Sequence, residues 1–282
     1  KCMDKVSIEE IINCVKELIS FKTTLIITSF KEPKTIGEAI KSAINQETIY
    51  DYNVIVSAPD EETLDVVKEY IKKHKKLSFI RDPGKGKSYA LNFLFSKINS
   101  DLLILTDGDV TIDKNSIQEI VNLFLDPEIG CVTGRPVPME DKSNKYGYWA
   151  NFLFDMAHLL RKESFIKCNF IECSGYLFAF RKAFIEKIPL DVAEDTIIPY
   201  YFWEKGYRIG YAEGAKVFVK NVDNISDWIK QKIRTSKAHE TLKNYVDIKT
   251  TKRVKSFKTE VSGIKNLISY PRNIKEVYWS MQ

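Results

Sequence analysis

No stretch of this sequence comes near the ~18 consecutive apolar residues of a membrane-spanning helix, so a soluble chain is expected. Cysteine is sparse. Cys2, Cys14, Cys131, Cys168 and Cys173 are odd in number and form no C-x-x-C pair. That pattern argues against a disulfide framework or a zinc site and for reduced thiols in a cytoplasmic protein. No secretory-signal pattern opens the sequence, and no internal repeat or low-complexity linker interrupts it. Nor is there a large excess of one charge: 43 basic against 38 acidic residues leave a net +5. This suits a polyanionic small ligand or an anionic membrane surface and calls for no nucleic acid. With 44% hydrophobic and 29% charged residues in 282, the composition is that of a globular protein, not a disordered one.

Within this frame, short apolar runs alternate with helical patterns. Apolar residues at helical spacing mark a helix over 6–18, with Ser7 as cap. Strands are expected at 24–28, 53–57, 77–81 and 101–106, each followed by a helix, at 33–46, 61–73, 88–97 and 114–125. Four such alternations imply βαβ units and a mostly parallel sheet, whose strands, buried on both faces, read as continuous apolar runs. Ligands of such sheets bind outside the carboxyl ends of the strands. Past residue 130 the pattern changes: a strand at 131–134, a helix at 146–161, strand-rich structure at 170–180, mixed helix and turn over 183–214, and an amphipathic basic helix at 228–244.

The sharpest motif is Thr106-Asp107-Gly108-Asp109. Two carboxylates directly after an apolar strand belong at its exposed end, because burial would leave them unpaired. There they can hold a hard divalent cation, Mg²⁺ or Mn²⁺, against a diphosphate, with Gly108 letting the backbone bend. A plain Asp-Gly turn is the competing reading. A calcium loop is excluded, since Ile112 and Gln118 stand where it needs Gly and Glu. Pro83-Gly-Lys-Gly-Lys-Ser88 opens a helix, but Arg81 occupies the position of a P-loop's first glycine. The segment reads either as a basic phosphate-contacting turn or as a flexible lysine-rich loop. Glu194-Asp195 reads as a helix cap or as a general base, and the basic run around Gln231 and Arg234 as a ligand contact or a solvated face.

In this order the motifs resemble glycosyltransferase family 2, inverting enzymes of the GT-A fold. The resemblance covers about residues 24–240: Ile27-Thr-Ser-Phe-Lys-Glu32, Val54-Ile-Val-Ser-Ala-Pro-Asp60, Gly86-Lys87 with Ala90-Leu91-Asn92, Asp107-Gly-Asp109, Glu194-Asp195 and Gln231-Lys-Ile-Arg234. Ser57 stands where the family usually has an Asp, and Thr235 where it has a Trp. The resemblance implies an α/β, Rossmann-like, mostly parallel sheet flanked by helices, with a helical C-terminal extension. It implies an N-terminal helix (1–23), a nucleotide-sugar-binding part (24–130), an acceptor and catalytic part (131–245) and the extension (246–282).

It further implies a metal-dependent hexosyltransferase taking a nucleoside-diphosphate sugar, UDP-linked by preference, to the hydroxyl of a glycan or lipid-linked acceptor. Asp195 would be the base. Thr28, Ser29, Glu32, Ser57, Lys87, Asp107, Gly108 and Arg234 would line the donor, and Asp109, with His239 as a further contact, would hold the metal. A sugar-phosphate nucleotidyltransferase is the first rival class, but it needs a glycine-rich loop after the first strand, and residues 28–33 contain no glycine. A non-catalytic nucleotide-sugar or membrane-surface module is the second. The helix at 146–160 is apolar almost all round, with a narrow stripe of Asn151, Asp155, His158 and Lys162, and is expected to be buried beside the sheet. Its place between the metal motif and the base is where the resemblance puts acceptor-side structure. The basic helix and the tail with Tyr278 and Trp279 suit a peripheral contact with an anionic membrane.

Overall fold

The computed structural model describes residues 21–227, 229–230, 233, 241–247 and 269–281. The expected helix at 6–18 lies outside the described residues, as do Gln231, Arg234, His239 and most of the expected helix at 228–244.

The first half alternates as the apolar runs require: β1 (Thr23–Thr28), α1 (Ile36–Ile44), β2 (Tyr52–Ala58), α2 (Glu61–Ile71), β3 (Leu77–Arg81), α3 (Lys87–Phe95), β4 (Leu102–Asp107), the short β5 (Thr111–Ile112) and α4 (Ser116–Leu123). The second half adds β6 (Ile129–Pro138), α5 (Lys145–Ile166), β7 (Leu177–Arg181), α6 (Glu194–Glu204), β8 (Arg208–Val219) and α7 (Ile274–Ser280). One sheet holds the strands in the order β3-β2-β1-β4-β7-β6-β8-β5. β3, β2, β1 and β4 run parallel. β7 is antiparallel to both β4 and β6, and β8 runs parallel to β6. The mostly parallel α/β sheet is thus the one expected.

Alternation along the central strands divides the core between two faces. Leu25, Ile27, Leu102 and Ile104 point to the side covered by Ile36 and Ile40 of α1, Val67 of α2 and Ile120 of α4. Ile26, Leu103 and Leu105 point to the side covered by Leu91 and Leu94 of α3 and Ile197 and Phe202 of α6. Every residue of β1 is buried, as an interior parallel strand demands.

Three segments differ from the sequence reading. Residues 183–214 hold α6 and the start of the 12-residue β8, not helix and turn alone. Gly210, Glu213, Gly214 and Lys216 interrupt its apolar pattern, and the strand exists because β6 and β5 pair with it. Over 170–180 only β7 is a strand. Finally, α5 is not buried: only Gly147, Tyr148 and Ala150 of its 22 residues are. Its polar stripe is bonded to neighbouring elements, with Lys162 remaining exposed. Asn151 donates to the Glu140 carbonyl, Asp155 accepts from the Tyr270 hydroxyl, His158 bonds to Tyr211 and Lys162 to Glu213. Leu153 and Leu159 are left exposed.

Candidate active site

Parallel register brings the first functional groups into one row. At the carboxyl end of β1, Thr28 lies beside Ser57 of β2 on one side and Asp107 of β4 on the other. The Thr28 hydroxyl donates to Asp107 Oδ1 at 3.0 Å. The Gly108 N–H donates to the Thr28 carbonyl at 2.9 Å, and the Ser29 N–H to the Ser57 carbonyl at 2.9 Å. Ser29 also donates its hydroxyl to Glu32 Oε2 at 2.6 Å. Gly108 is required here: a Cβ would come within 2.5 Å of Ser29 Oγ and 2.6 Å of Glu32 Oε2, well inside van der Waals contact.

The carboxylates sit as a strand end requires, Asp107 half-buried and Asp109 exposed. Burial raises the Glu32 pKa, the Ser29 hydroxyl opposes that, and the charges of Asp109 and Asp107 raise it further. Three acids therefore share one field. Their donor atoms are hard oxygens, and their mutual repulsion is the kind a divalent cation relieves. Among the described residues, no group of three or more His, Cys, Asp or Glu side chains is arranged to hold a metal.

Ser57 is buried and donates its hydroxyl to Asp82 Oδ2 at 3.0 Å. Asp82 also accepts from the Gly84 N–H at 2.8 Å, so it shapes the basic turn before α3. Asp82 lies within the strand-end stretch 81–87, but no role in the sequence singles it out; its partner Ser57 stands on a neighbouring strand. On the near side of that turn, Lys31 adopts a left-handed φ of 56° and donates its N–H to Asp60, the N-cap of α2.

The Gly-Lys…Ala-Leu-Asn element acquires a geometric meaning. Asn92 of α3 both donates to and accepts from the Ile188 backbone at 2.8 Å, and Ser88 donates to the Val192 carbonyl. Lys87 completes the set. Its ammonium lies 2.6 Å from Asp107 Oδ1 and 2.7 Å from Glu194 Oε1. Burial alone would lower the Lys87 pKa, but Glu194 and Asp107 outweigh it and hold the group charged. Helix α3 therefore fastens the segment leading into α6 to the end of β4.

Next to Glu194 in the first turn of α6 stands Asp195. Its pKa rises from the usual 3.8 to about 7, because burial and then the charge of Glu194 disfavour the carboxylate. Lys87 and the Gly175 N–H pull the other way, without cancelling the rise. Gly175 has no room for a side chain, since a Cβ would sit 2.9 Å from Asp195 Oδ2. A carboxyl tuned to near neutrality at the rim of a ligand-binding edge has the properties of a general base. Its acidic first turn also suits a helix N-terminus, so the cap and the base are compatible. Arg234 and His239 lie outside the described residues.

A row of hydroxyls and carboxylates stands at the carboxyl end of a parallel sheet, and the Lys87 ion pairs fasten it to the turn that carries Asp195. The chain belongs to glycosyltransferase family 2, whose model, described as Glycosyl transferase family 2, matches residues 24–188. It is 25% identical over 234 residues to a probable glycosyltransferase, YdaM, of Bacillus subtilis, a match covering 78% of this chain and 55% of that protein. It is also 25% identical over 210 residues to the O-antigen chain rhamnosyltransferase RfbN of Salmonella typhimurium, covering 70% and 65%. The chain thus spans between about half and two thirds of the length of these curated relatives.

Among solved structures, its fold is similar to that of the mannosyltransferase PcManGT from Pyrobaculum calidifontis in complex with GDP-Man and Mn²⁺. There the TM-score is 0.60 and the identity 19%, over 76% of this chain and 61% of that one. It is also similar to S. aureus TarS in complex with UDP-GlcNAc, with a TM-score of 0.52 and 14% identity over 72% and 60%. The fold is GT-A. The family match ends before Glu194 and Asp195, so their role rests on the geometry above.

Replacing Lys87 tests that geometry. Lys87→Met removes the cation that favours ionised Asp195, so a carboxyl NMR titration should show the Asp195 midpoint move from near 7 to a higher pH. It also leaves Glu194 buried without a partner. Because the Lys87 side chain is 34% exposed, the loss of stability should be about 3 kcal/mol or less, at or below the low end for a broken buried pair. The sign of the pH effect follows from the raised pKa. Asp195 favours the fold while protonated, and that contribution is present below about pH 4 and lost as the pH rises through 7. An unchanged or lowered midpoint in Lys87→Met would break the proposed linkage.

Proposed function

We propose that this protein transfers a sugar from a nucleoside-diphosphate sugar, UDP-linked by preference, to an acceptor hydroxyl with inversion at the anomeric carbon. Asp195 acts as the base. The observation that carries this reading is the buried Asp195 carboxyl, reached by the Gly175 N–H and adjoining the Lys87–Glu194 pair that is fastened to the Thr28–Asp107 row. Family membership and neighbours whose structures contain GDP-Man or UDP-GlcNAc support it.

In this mechanism Thr28, Ser29, Glu32 and Asp107 line the donor. Ser57 acts from beneath through Asp82, and Gly108 lets the ligand approach the backbone. Lys87 holds Asp107 and Glu194 in place. As the acceptor hydroxyl oxygen bonds to the anomeric carbon, the bond from that carbon to the diphosphate breaks, and the hydroxyl proton passes to Asp195. Mg²⁺ or Mn²⁺ would be held by Asp109 together with the donor's phosphates; bound there, it supplies positive charge to the departing diphosphate. A pKa near 7 suits a base working at neutral pH. The products distinguish this reading from a nucleotidyltransferase, which releases pyrophosphate and not a nucleoside diphosphate.

The acceptor is proposed to be a lipid-linked glycan met at an anionic membrane surface. No helix among the described residues is long and apolar enough to cross a membrane. Helix α7 nevertheless exposes Ile274, Val277, Tyr278 and Met281, one apolar stripe at helical spacing, next to exposed Arg272 and Lys275. It lies against α5 through Trp149 Nε1, which donates to the Trp279 carbonyl at 2.7 Å, and through the Tyr148 and Ser280 hydroxyls at 2.6 Å. An apolar stripe flanked by cations is the signature of an interfacial helix.

Asp195→Asn, nearly isosteric, should lower transfer by about two to four orders of magnitude while donor binding persists, and wild-type product should show an inverted anomer by proton NMR. Near wild-type transfer in the mutant, or a retained anomer, would sink the single-displacement mechanism. Asp109→Ala should abolish Mn²⁺-dependent binding of UDP with the fold intact. Full transfer activity in excess chelator contradicts the metal assignment. Co-sedimentation with anionic vesicles at low salt should fall on replacing Ile274 and Tyr278 by Ser; vesicle binding that is absent, or unchanged in this variant, argues against the membrane contact.

A further inference from the structure

Cationic side chains also gather where α5 crosses the sheet, beyond β7 from the donor row. Thr133 of β6 pairs with Tyr211 of β8, and Arg135 follows two residues later past a register shift. From α5, His158 Nδ1 lies 2.8 Å from the Tyr211 hydroxyl. Arg161, three residues on, shares that helical face and donates through Nε to the Glu172 carbonyl at 3.3 Å. Lys162 closes the outer side with an ion pair to Glu213 at 2.9 Å.

The two arginines are half-buried and under-used. Among the described residues, Arg135 makes no hydrogen bond or ion pair, and the amino groups of Arg161 make none. They are not sealed in. The sole wholly buried side-chain polar atom without a partner among the described residues is Arg208 Nε, so the unbonded amino groups of Arg135 and Arg161 keep some solvent contact. One field joins the cluster to the base. Burial pushes the Tyr211 pKa up to about 12 against the pull of Arg161 and Arg135. Burial lowers the Arg161 pKa, opposed by Tyr211, Cys173, Glu172 and Asp195. Partly withholding two guanidinium groups from bulk water without hydrogen bonds for most of their N–H groups is costly, and each presents a fork matched to an oxyanion.

We propose that Arg135 and Arg161 form an anion-binding subsite on the acceptor side of Asp195, which holds an oxyanion carried by the acceptor close to its reacting hydroxyl. The "acceptor" label rests on the reading of Asp195 as the base. Two sources share this chemistry: the phosphate of a lipid-linked acceptor and the carboxylate of an acidic sugar. Holding that anion orients the hydroxyl toward Asp195.

The test is calorimetric titration of the full chain, with excess chelator, using glycerol 1-phosphate, glucuronate and neutral glucose, and separately using UDP with Mn²⁺. Wild type should bind at least one oxyanion and not glucose; phosphate in preference marks a phospholipid-type acceptor, and carboxylate in preference an acidic sugar. Arg135→Gln should weaken the oxyanion at least tenfold and leave UDP–Mn²⁺ binding unchanged. Arg161→Lys, which keeps the charge but loses the fork, should weaken it by a smaller factor. Glucose binding as well as the oxyanions, an Arg135→Gln affinity within twofold of wild type, or an equal loss of UDP–Mn²⁺ binding would each overturn the subsite. Wild type that binds UDP–Mn²⁺ but neither oxyanion overturns the subsite and leaves the transferase reading standing. Oxyanion binding without UDP–Mn²⁺ binding counts against the transferase reading alone.

Discussion

The ammonium of Lys87 lies between two carboxylates that the chain delivers from opposite halves of the fold, Asp107 at the end of β4 and Glu194 at the start of α6. Glu194 is 7% exposed at its side chain, and a charge that deep needs a partner. Without Lys87, Glu194, Asp107 and Asp195 would repel one another at close range. With it, the segment leading into α6 is drawn to the edge of the sheet, and Asn92 and Ser88 of the same helix fix its backbone. The position of Asp195 follows from that ion pair cluster, and its ionisation from burial first and the charges of the cluster second.

The second constraint is the register of three parallel strands. Because β1 pairs in step with β2 and β4, Ser57, Thr28 and Asp107 become neighbours without any contact in sequence. Two glycines then set how closely the loops approach. Gly108 admits Ser29 and Glu32 to the carboxylate row, and Gly175 lets Asp195 reach a backbone N–H. A side chain at either point would push apart groups that work only in contact.

Helix α5 ties its polar stripe to neighbouring elements instead of leaving it to water alone. Its narrow polar stripe is spent on Tyr270, Tyr211, Glu213 and the Glu140 carbonyl, while leucines face outward. An isolated apolar helix would bury the opposite face. Here the neighbouring sheet offers hydrogen-bonding groups as well as apolar ones, and α7 adds its own exposed stripe beside it.

Much of this was legible in the sequence. Continuous apolar runs ending in Thr28, Ser57 and Thr106 implied buried parallel strands, and two acids directly after the fourth run implied a charged strand end, because local periodicity and the cost of burying charge act over a few residues. Other features were not legible. β8, broken by Gly210 and Gly214, is a strand only because β6 and β5 hold it. The outward face of α5 depends on partners far along the chain. Asp82 acquires its place from Ser57 on a neighbouring strand. The rise of the Asp195 pKa comes from burial and from Glu194, opposed by Lys87 and the Gly175 N–H, and the fields around Arg135 and Arg161 come from residues that meet only once the sheet has closed. Residue types and their order, acting locally, set the elements and the chemistry on offer. Tertiary structure alone decided which charges face each other, because electrostatic interaction depends on distance in space and on exclusion of water, and neither is written in the spacing of residues along the chain.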